Sequence, residues 1–388
     1  MDREGLDLLP PQALSAIRID LACVQHNYCA LQKLLKDSGS LQTRCGSVVK
    51  ANAYGTGAVP VAGALSKIGC QDFFVADCDE GIHLRVHLKN EQIYVFSGVV
   101  ANTAPLFVEY NLIPVLLHKE QILYWHNEAQ RLERKLPAVV HVDTGMSRSG
   151  LMAKDIEWLL DNKSVLDAFD LRFIMSHLAC SCDRSALFNE IQLERFRALL
   201  AHFPKVQASF VASEGIAFGR TYHFDLVRPG KFLLGLGYSE YASLKPVIRI
   251  YGRVLEVMDV EPGQSIGYEG FYTFERHGQA ASLGIGYADG IARSLGNRGS
   301  VKIKGKYAPI VGRISMDCVS IDIAGIDDVK PGDWATLVDE NISLEHIAQY
   351  TGTISREVSC LLGARPYRLY HTGENTYEVC PSFGMRCS

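Results

Sequence analysis

No stretch of this sequence supplies the roughly 20 consecutive apolar residues that a membrane-spanning helix needs. A cationic surplus is also missing: 39 lysines and arginines face 43 aspartates and glutamates, a formal charge of −4, which argues against a broad nucleic-acid surface. There are no paired Cys-x-x-Cys motifs. Eleven cysteines are scattered from Cys23 to Cys387, an odd number without repeated spacing. That is unlike a secreted disulfide framework and fits a reducing cytoplasm. Cys180-Ser181-Cys182 stands beside His177, but no second pair completes a zinc set, so no metal is expected. Met1-Asp2-Arg3-Glu4-Gly5 has no basic segment leading into an apolar core, so no signal peptide is expected. Walker, GxSxG and HExxH motifs are absent, and the glycines at 284, 286 and 290 miss the GxGxxG pattern because Asp289 fills the third slot. Repeats of solenoid period and low-complexity tracts are lacking too.

What remains is an ordinary globular mix, 388 residues with 47% apolar and 21% charged, enough for two domains or one barrel plus an addition. The first two-thirds alternate. Short β-branched or aromatic runs at Ser47–Lys50, Phe73–Ala76, Gln92–Ser97, Ile113–Leu117, Ala138–Asp143, Leu171–Leu178, Val206–Ser213 and Phe224–Gly230 predict strands. Between them, Ala58–Ile68, Lys119–Arg134 and Asn189–His202 space apolar residues by three and four, as helices do. Eight such units predict a closed (β/α)₈ TIM barrel, with an open doubly wound sheet as the alternative. Near Leu244 the pattern changes. Val247–Val260, Val301–Lys304, Tyr307–Val311 and Cys318–Ile323 read as mainly antiparallel strands with turns at glycine and proline, and Glu345–Thr351 as a short helix. The expected division is a barrel over residues 1–243 and a mainly-β domain over 244–388.

Lys50 ends the apolar run Ser47-Val48-Val49, at the strand end where barrels build their active face. Burial there lowers an amine's pKa, and a neutral amine can attack a carbonyl to form a Schiff base. A solvated strand-end lysine is the plainer alternative.

The wider window decides between them. Lys50-Ala51-Asn52-Ala53-Tyr54-Gly55-Thr56-Gly57 resembles the pyridoxal-phosphate lysine segment of alanine racemases. In chain order, Asp143–Gly150 looks like that family's arginine loop and Ser176–Ala179 like its histidine strand. Leu226–Gly230 looks like the motif that meets the pyridine nitrogen, and Ser265–Tyr268 like the catalytic-tyrosine turn. Gly284–Gly290 and Val311–Asp317 complete the set. Seven matches in order, from Ile17 to Arg368, identify the chain as similar to this family over nearly its whole length.

The resemblance implies a pyridoxal 5′-phosphate enzyme, an isomerase that interconverts L- and D-alanine for cell-wall peptidoglycan. It also implies a head-to-tail homodimer in which the partner's β domain completes each active site. Two bases serve opposite faces of the α-carbon, Lys50 and Tyr268. A phenol with a pKa of about 10 needs nearby positive charge to act as a base, for which His177, Arg148 and Arg228 stand in line. Arg228, facing the pyridine nitrogen, keeps it unprotonated and weakens the electron sink, which suppresses side reactions. Tyr54, Ser213, Gly230 and Lys231 are implied for the phosphate. Arg148 and Met316 are implied for the substrate carboxylate, Tyr287 for the entrance, and Asp317 for support.

Two positions depart from the pattern. His141 stands where many members carry a carbamylated lysine, and Ala364 where a phosphate-binding tyrosine is usual. The space at 364 suggests that serine is accepted as well as alanine, since excluding one extra group is worth only about 1–3 kcal/mol. Two other readings remain: a decarboxylase of the same architecture, which needs only one proton donor, and a non-catalytic pyridoxal-phosphate carrier.

Overall fold

The computed structural model describes residues 5–100, 102–203, 205–237, 243–373 and 376–380. The signal-peptide reading of Met1–Glu4 and the final cysteine, Cys387, lie outside the described residues.

Between Arg44 and Arg228 the chain forms a ring of parallel strands flanked by helices. The pieces Arg44–Cys45 and Ser47–Val48 are halves of one strand interrupted at Gly46. The first half pairs with Leu226–Arg228 and the second with Asp72–Val75, which closes the ring. Gln92–Val95, Ile113–Leu116, Leu136–His141, Phe169–Met175 and Ala208–Ala212 fill the remaining places in order. Helices such as Ala58–Lys67, Lys119–Arg131 and Leu187–Leu200 cover the outside. The strands are mainly apolar because both of their faces are largely buried. Inward-pointing Val48, Phe74, Tyr94, Val115, Val139, Phe173, Met175 and Leu226 plug the barrel. Phe74 stacks on Tyr94 with ring centroids 4.6 Å apart.

The second sheet is built on the 13-residue strand Ile248–Val260. It pairs antiparallel with Gly278–Leu283 and Trp334–Val338. The expected fold class, barrel followed by a mainly-β domain, is the one observed, and the predicted strands 301–304, 307–311 and 318–323 appear as Ser300–Ile303, Lys306–Pro309 and Val319–Asp322.

One segment departs from the expected assignment of residues 1–243 to the barrel. Ser15–Asp20 is an inner strand of the second sheet, antiparallel to Ile248–Val260 and parallel to Tyr367–Gly373. Its residues are buried from Ser15 to Ile19, as a central strand requires. Asp20 then caps the helix Leu21–Asp37 by accepting the Cys23 N–H at 2.9 Å and also contacts His371 Nδ1 at 2.9 Å. One carboxylate thus joins the barrel's first helix to the β domain.

Candidate active site

A cavity of about 580 Å³ opens at the C-terminal ends of the barrel strands, within the size range of small-molecule sites. Its lining includes Lys50, Tyr54, His141, Arg148, His177, Ser213, Arg228, Gly230 and Lys231. Nine residues singled out from the sequence therefore share one wall.

Lys50 follows the Ser47–Val48 strand and begins an unusual turn. Ala51, Asn52, Ala53 and Tyr54 all have left-handed φ values, from 51° to 55°. Each such residue costs about 1–2 kcal/mol in an L-chain, so the surroundings must impose the conformation. Ala51 N–H donates to Glu80 Oε1 at 2.6 Å, Ala58 N–H to Asn52 Oδ1 at 2.8 Å, and Ser359 Oγ to the Tyr54 carbonyl at 2.5 Å. Burial, with the nearby Arg148 charge, holds the Lys50 amine below its ordinary pKa, which favours the neutral, nucleophilic form.

Arg228 is 2% exposed. Its guanidinium donates to Ser209 Oγ, to the Ser176 carbonyl at 2.7 Å and to the Phe210 carbonyl at 3.2 Å. No carboxylate pairs with it among the described residues, and burial alone brings its pKa down to about 9. His141 and His177 are each pushed down to about 3, by burial first and then by the charges of Arg228 and Arg148. Both imidazoles are therefore neutral near pH 7, and His141 does not repel Arg148. Arg148 makes no ion pair among the described residues. Its loop is fixed by Asp143, which accepts from Gly145 N–H at 3.2 Å and Ser147 N–H at 2.9 Å.

Ser213 Oγ accepts from Gly230 N–H at 3.1 Å and Phe232 N–H at 3.4 Å, and its own proton has no acceptor among the described residues. Beside it, Lys231 forms an ion pair with Glu214. Burial would raise the Glu214 carboxyl, but the lysine brings it below its usual range. These donors fit pyridoxal phosphate. A nucleophilic amine is available for the aldehyde, the Tyr54 and Ser213 hydroxyls for the phosphate, and a buried arginine for an unprotonated ring nitrogen.

The other expected residues do not reach this cavity within one chain. Tyr268 is 68% exposed, and Tyr287 and Met316 are also exposed. They sit on β-domain loops. The Tyr268 turn is held by Glu269 paired to Arg313 at 2.6 Å. Tyr287 N–H donates to the Ser315 carbonyl at 3.0 Å. Arg365 bridges Asp289 at 2.8 Å and Asp317 at 2.5 Å. Ala364 is not in the cavity wall. From this part of the chain it is Arg356, on the helix Ser355–Cys360, that lines the cavity. The space argued from Ala364 to admit serine therefore does not open into this cavity.

Sequence reasoning also missed Glu80, Phe96 and Glu214, and weighed Cys182 only as a metal ligand. Glu80 receives N–H groups from both Ala51 and Ala76. Its signal was available in Asp77-Cys78-Asp79-Glu80, a helix-start pattern in which Asp77 caps the Glu80 N–H at 3.0 Å. The Phe96 ring centroid lies 5.5 Å from Lys50 Nζ. Cys182 Sγ donates to Glu214 at 3.3 Å.

Comparison with known proteins gives a consistent answer. The alanine racemase N-terminal domain family matches residues 19–237, and the alanine racemase C-terminal domain family matches 247–370. An alanine racemase of Brucella abortus is 38% identical over 372 residues, covering 91% of this chain and 93% of that protein. One from Rickettsia akari is 38% identical over 361 residues, covering 92% and 99%. Among solved structures, the alanine racemase of Bartonella henselae with covalently bound pyridoxal phosphate superposes with a TM-score of 0.86 at 35% identity, covering 92% of this chain and 99% of that one. The Clostridium difficile 630 enzyme gives 0.89 at 26% identity, covering 96% and 100%. The chain belongs to the alanine racemase family.

Proposed function

We propose that this chain is a pyridoxal-phosphate-dependent racemase that interconverts L- and D-alanine in the cytoplasm and supplies D-alanine for peptidoglycan. The observation that carries the reading is a half-buried amine, Lys50, in one cavity with a fully buried arginine that no carboxylate neutralises among the described residues. Bound pyridoxal phosphate supplies a conjugated ring that disperses the charge left at the substrate α-carbon.

Lys50 would hold the cofactor by its aldehyde, and the amine, when free, would accept a proton from one face of the substrate α-carbon and, as the ammonium so formed, return one there. Arg228 would face the ring nitrogen and, being a poor proton donor, would leave it unprotonated. A carboxylate at that place would do the reverse. Arg148 would receive the substrate carboxylate, and the Tyr54 and Ser213 hydroxyls would donate to the phosphate.

The opposite face needs a second acid–base group, and within one chain the cavity wall offers, among the described residues, no tyrosine besides Tyr54. Tyr268 stands exposed on the β domain, so the reading includes a head-to-tail homodimer in which Tyr268 of the partner subunit enters the cavity. Met316 and Tyr287, on neighbouring loops, enter with it as carboxylate contact and gate. The boundary near 243/244 then separates most of the cofactor-binding residues from the loops that serve the neighbouring copy.

Polarimetry of L-alanine with added pyridoxal phosphate tests the proposal. Rotation should decay to zero without release of carbon dioxide. Lys50→Ala should lower the rate by roughly 10²- to 10⁴-fold. Gas evolution would establish the decarboxylase reading in its place, and full activity of the Lys50→Ala enzyme without added amine would refute the assignment.

A further inference from the structure

Arg356 is a cavity cation to which the reading above gives no task. It lies one turn before Ser359 on the helix Ser355–Cys360. Ser359 is fully buried and donates to the Tyr54 carbonyl. Its own carbonyl presses on Gly55 and leaves no room there for a Cβ. These contacts seat the helix on the left-handed turn that follows Lys50. Residues three apart share a helix face, so Arg356 enters the cavity on the Tyr54 side.

Lys50 feels the charges of both Arg148 and Arg356, and the other groups of the cavity divide between the cations. Arg228 and Arg148 are the charges felt by His141 and His177. Arg356 is the arginine felt by Tyr54, and it acts with Lys231 on Cys182. On this second side Lys231 is already paired with Glu214. Tyr54 and Ser213 offer neutral hydroxyls. Arg356 has no ion-pair partner among the described residues. A phosphate monoester brings about −1.5 to −2 charges at pH 7, and neutral donors balance them far less well than a guanidinium does.

Resting on the cofactor reading above, we propose that Arg356 is the charged ligand of the cofactor's phosphate, reaching into the barrel from the β domain. The Ser359–Tyr54 hydrogen bond makes it a positioned donor. Lysine at this place would keep the charge but lose the planar fork.

The test uses full-length holoenzyme of the wild type, Arg356→Gln and Arg356→Lys. Each is dialysed against graded pyridoxal phosphate or against pyridoxal, which lacks the phosphate. Occupancy is read from the visible absorbance of the cofactor on Lys50. Arg356→Gln should weaken pyridoxal phosphate by about ten- to a hundredfold, the range for losing a charged hydrogen bond, and leave pyridoxal within about threefold. Arg356→Lys should recover most of the loss, and it keeps the test decisive if the glutamine variant fails to fold. Equal weakening of both ligands, or unchanged pyridoxal phosphate binding, overturns the proposal. So does unchanged cofactor binding with selective loss of turnover on an amino acid bearing an acidic side chain, which would assign Arg356 to the substrate. Absence of cofactor absorbance in the wild type would overturn the cofactor reading itself, a separate result.

Discussion

His141 and His177 show how a single buried ring makes stability depend on pH. Their imidazoles fall from 6.5 to about 3 because the cavity desolvates them and two arginines face them. Above pH 6.5 folded and unfolded chains both carry neutral rings, and the stability is fully present. As the pH falls, the unfolded chain takes up protons that the folded chain refuses until about pH 3, so stability is lost across that window. Linkage gives a loss of about 2 kcal/mol for each ring by pH 5. The urea midpoint should drop between pH 7 and pH 5, and less steeply in His141→Gln than in the wild type. Identical slopes in the two proteins would show that His141 is not held neutral. At this scale much of the site was legible through the family resemblance of the segments around Lys50, Arg148, His177 and Arg228, whereas Lys50 by itself reads equally as a solvated strand-end lysine. Arg356 was not legible. Its role depends on a helix of the second domain folding back over the first, and no local pattern records that.

Among the elements, the turn 51–54 is the costliest and the most constrained. Four consecutive left-handed residues persist only because Glu80, Asn52 and Ser359 hold their polar groups. Gly55 closes the turn at φ 84°, with the Ser359 carbonyl filling the place a side chain would take. Gly55→Ala adds both a left-handed penalty and a backbone clash, and should destabilise by roughly 2–5 kcal/mol. Gly63, inside the helix Ala58–Lys67, has open space where a Cβ would stand, with nothing within 4 Å, and Gly63→Ala should stabilise by about 0.5–1 kcal/mol. Thermal midpoints check both; equal shifts for the two would remove the argument. Strand positions were readable from the apolar runs to within a few residues. The left-handed turn was not, because alanine and tyrosine have no propensity that announces it, and Asn52 with the flanking glycines hints at single left-handed residues, not a run of four.

For the whole molecule, the separation of Lys50 from Tyr268 is the decisive feature. If each site takes its phenol from the other subunit, two inactive variants should complement each other. Co-expressed Lys50→Ala and Tyr268→Phe chains form mixed dimers in which one site has both defects and the other has neither. Random pairing then restores about a quarter of wild-type activity. Recovery of none of it would place Tyr268 outside the neighbouring site. The sheet order was the least legible feature at this scale. Ser15–Asp20 reads like any other apolar strand, and its place beside Tyr367–Gly373 is fixed by pairing across almost the full sequence.

That pairing has a consequence for biosynthesis. Ser15–Asp20 leaves the ribosome early, yet neither of its neighbours in the sheet, Ile248–Val260 or Tyr367–Gly373, exists until most of the chain has been made. A nascent chain can close its barrel while this apolar segment still waits for partners. Truncated translation products would therefore expose a sticky β-edge, the kind of surface that chaperones shield.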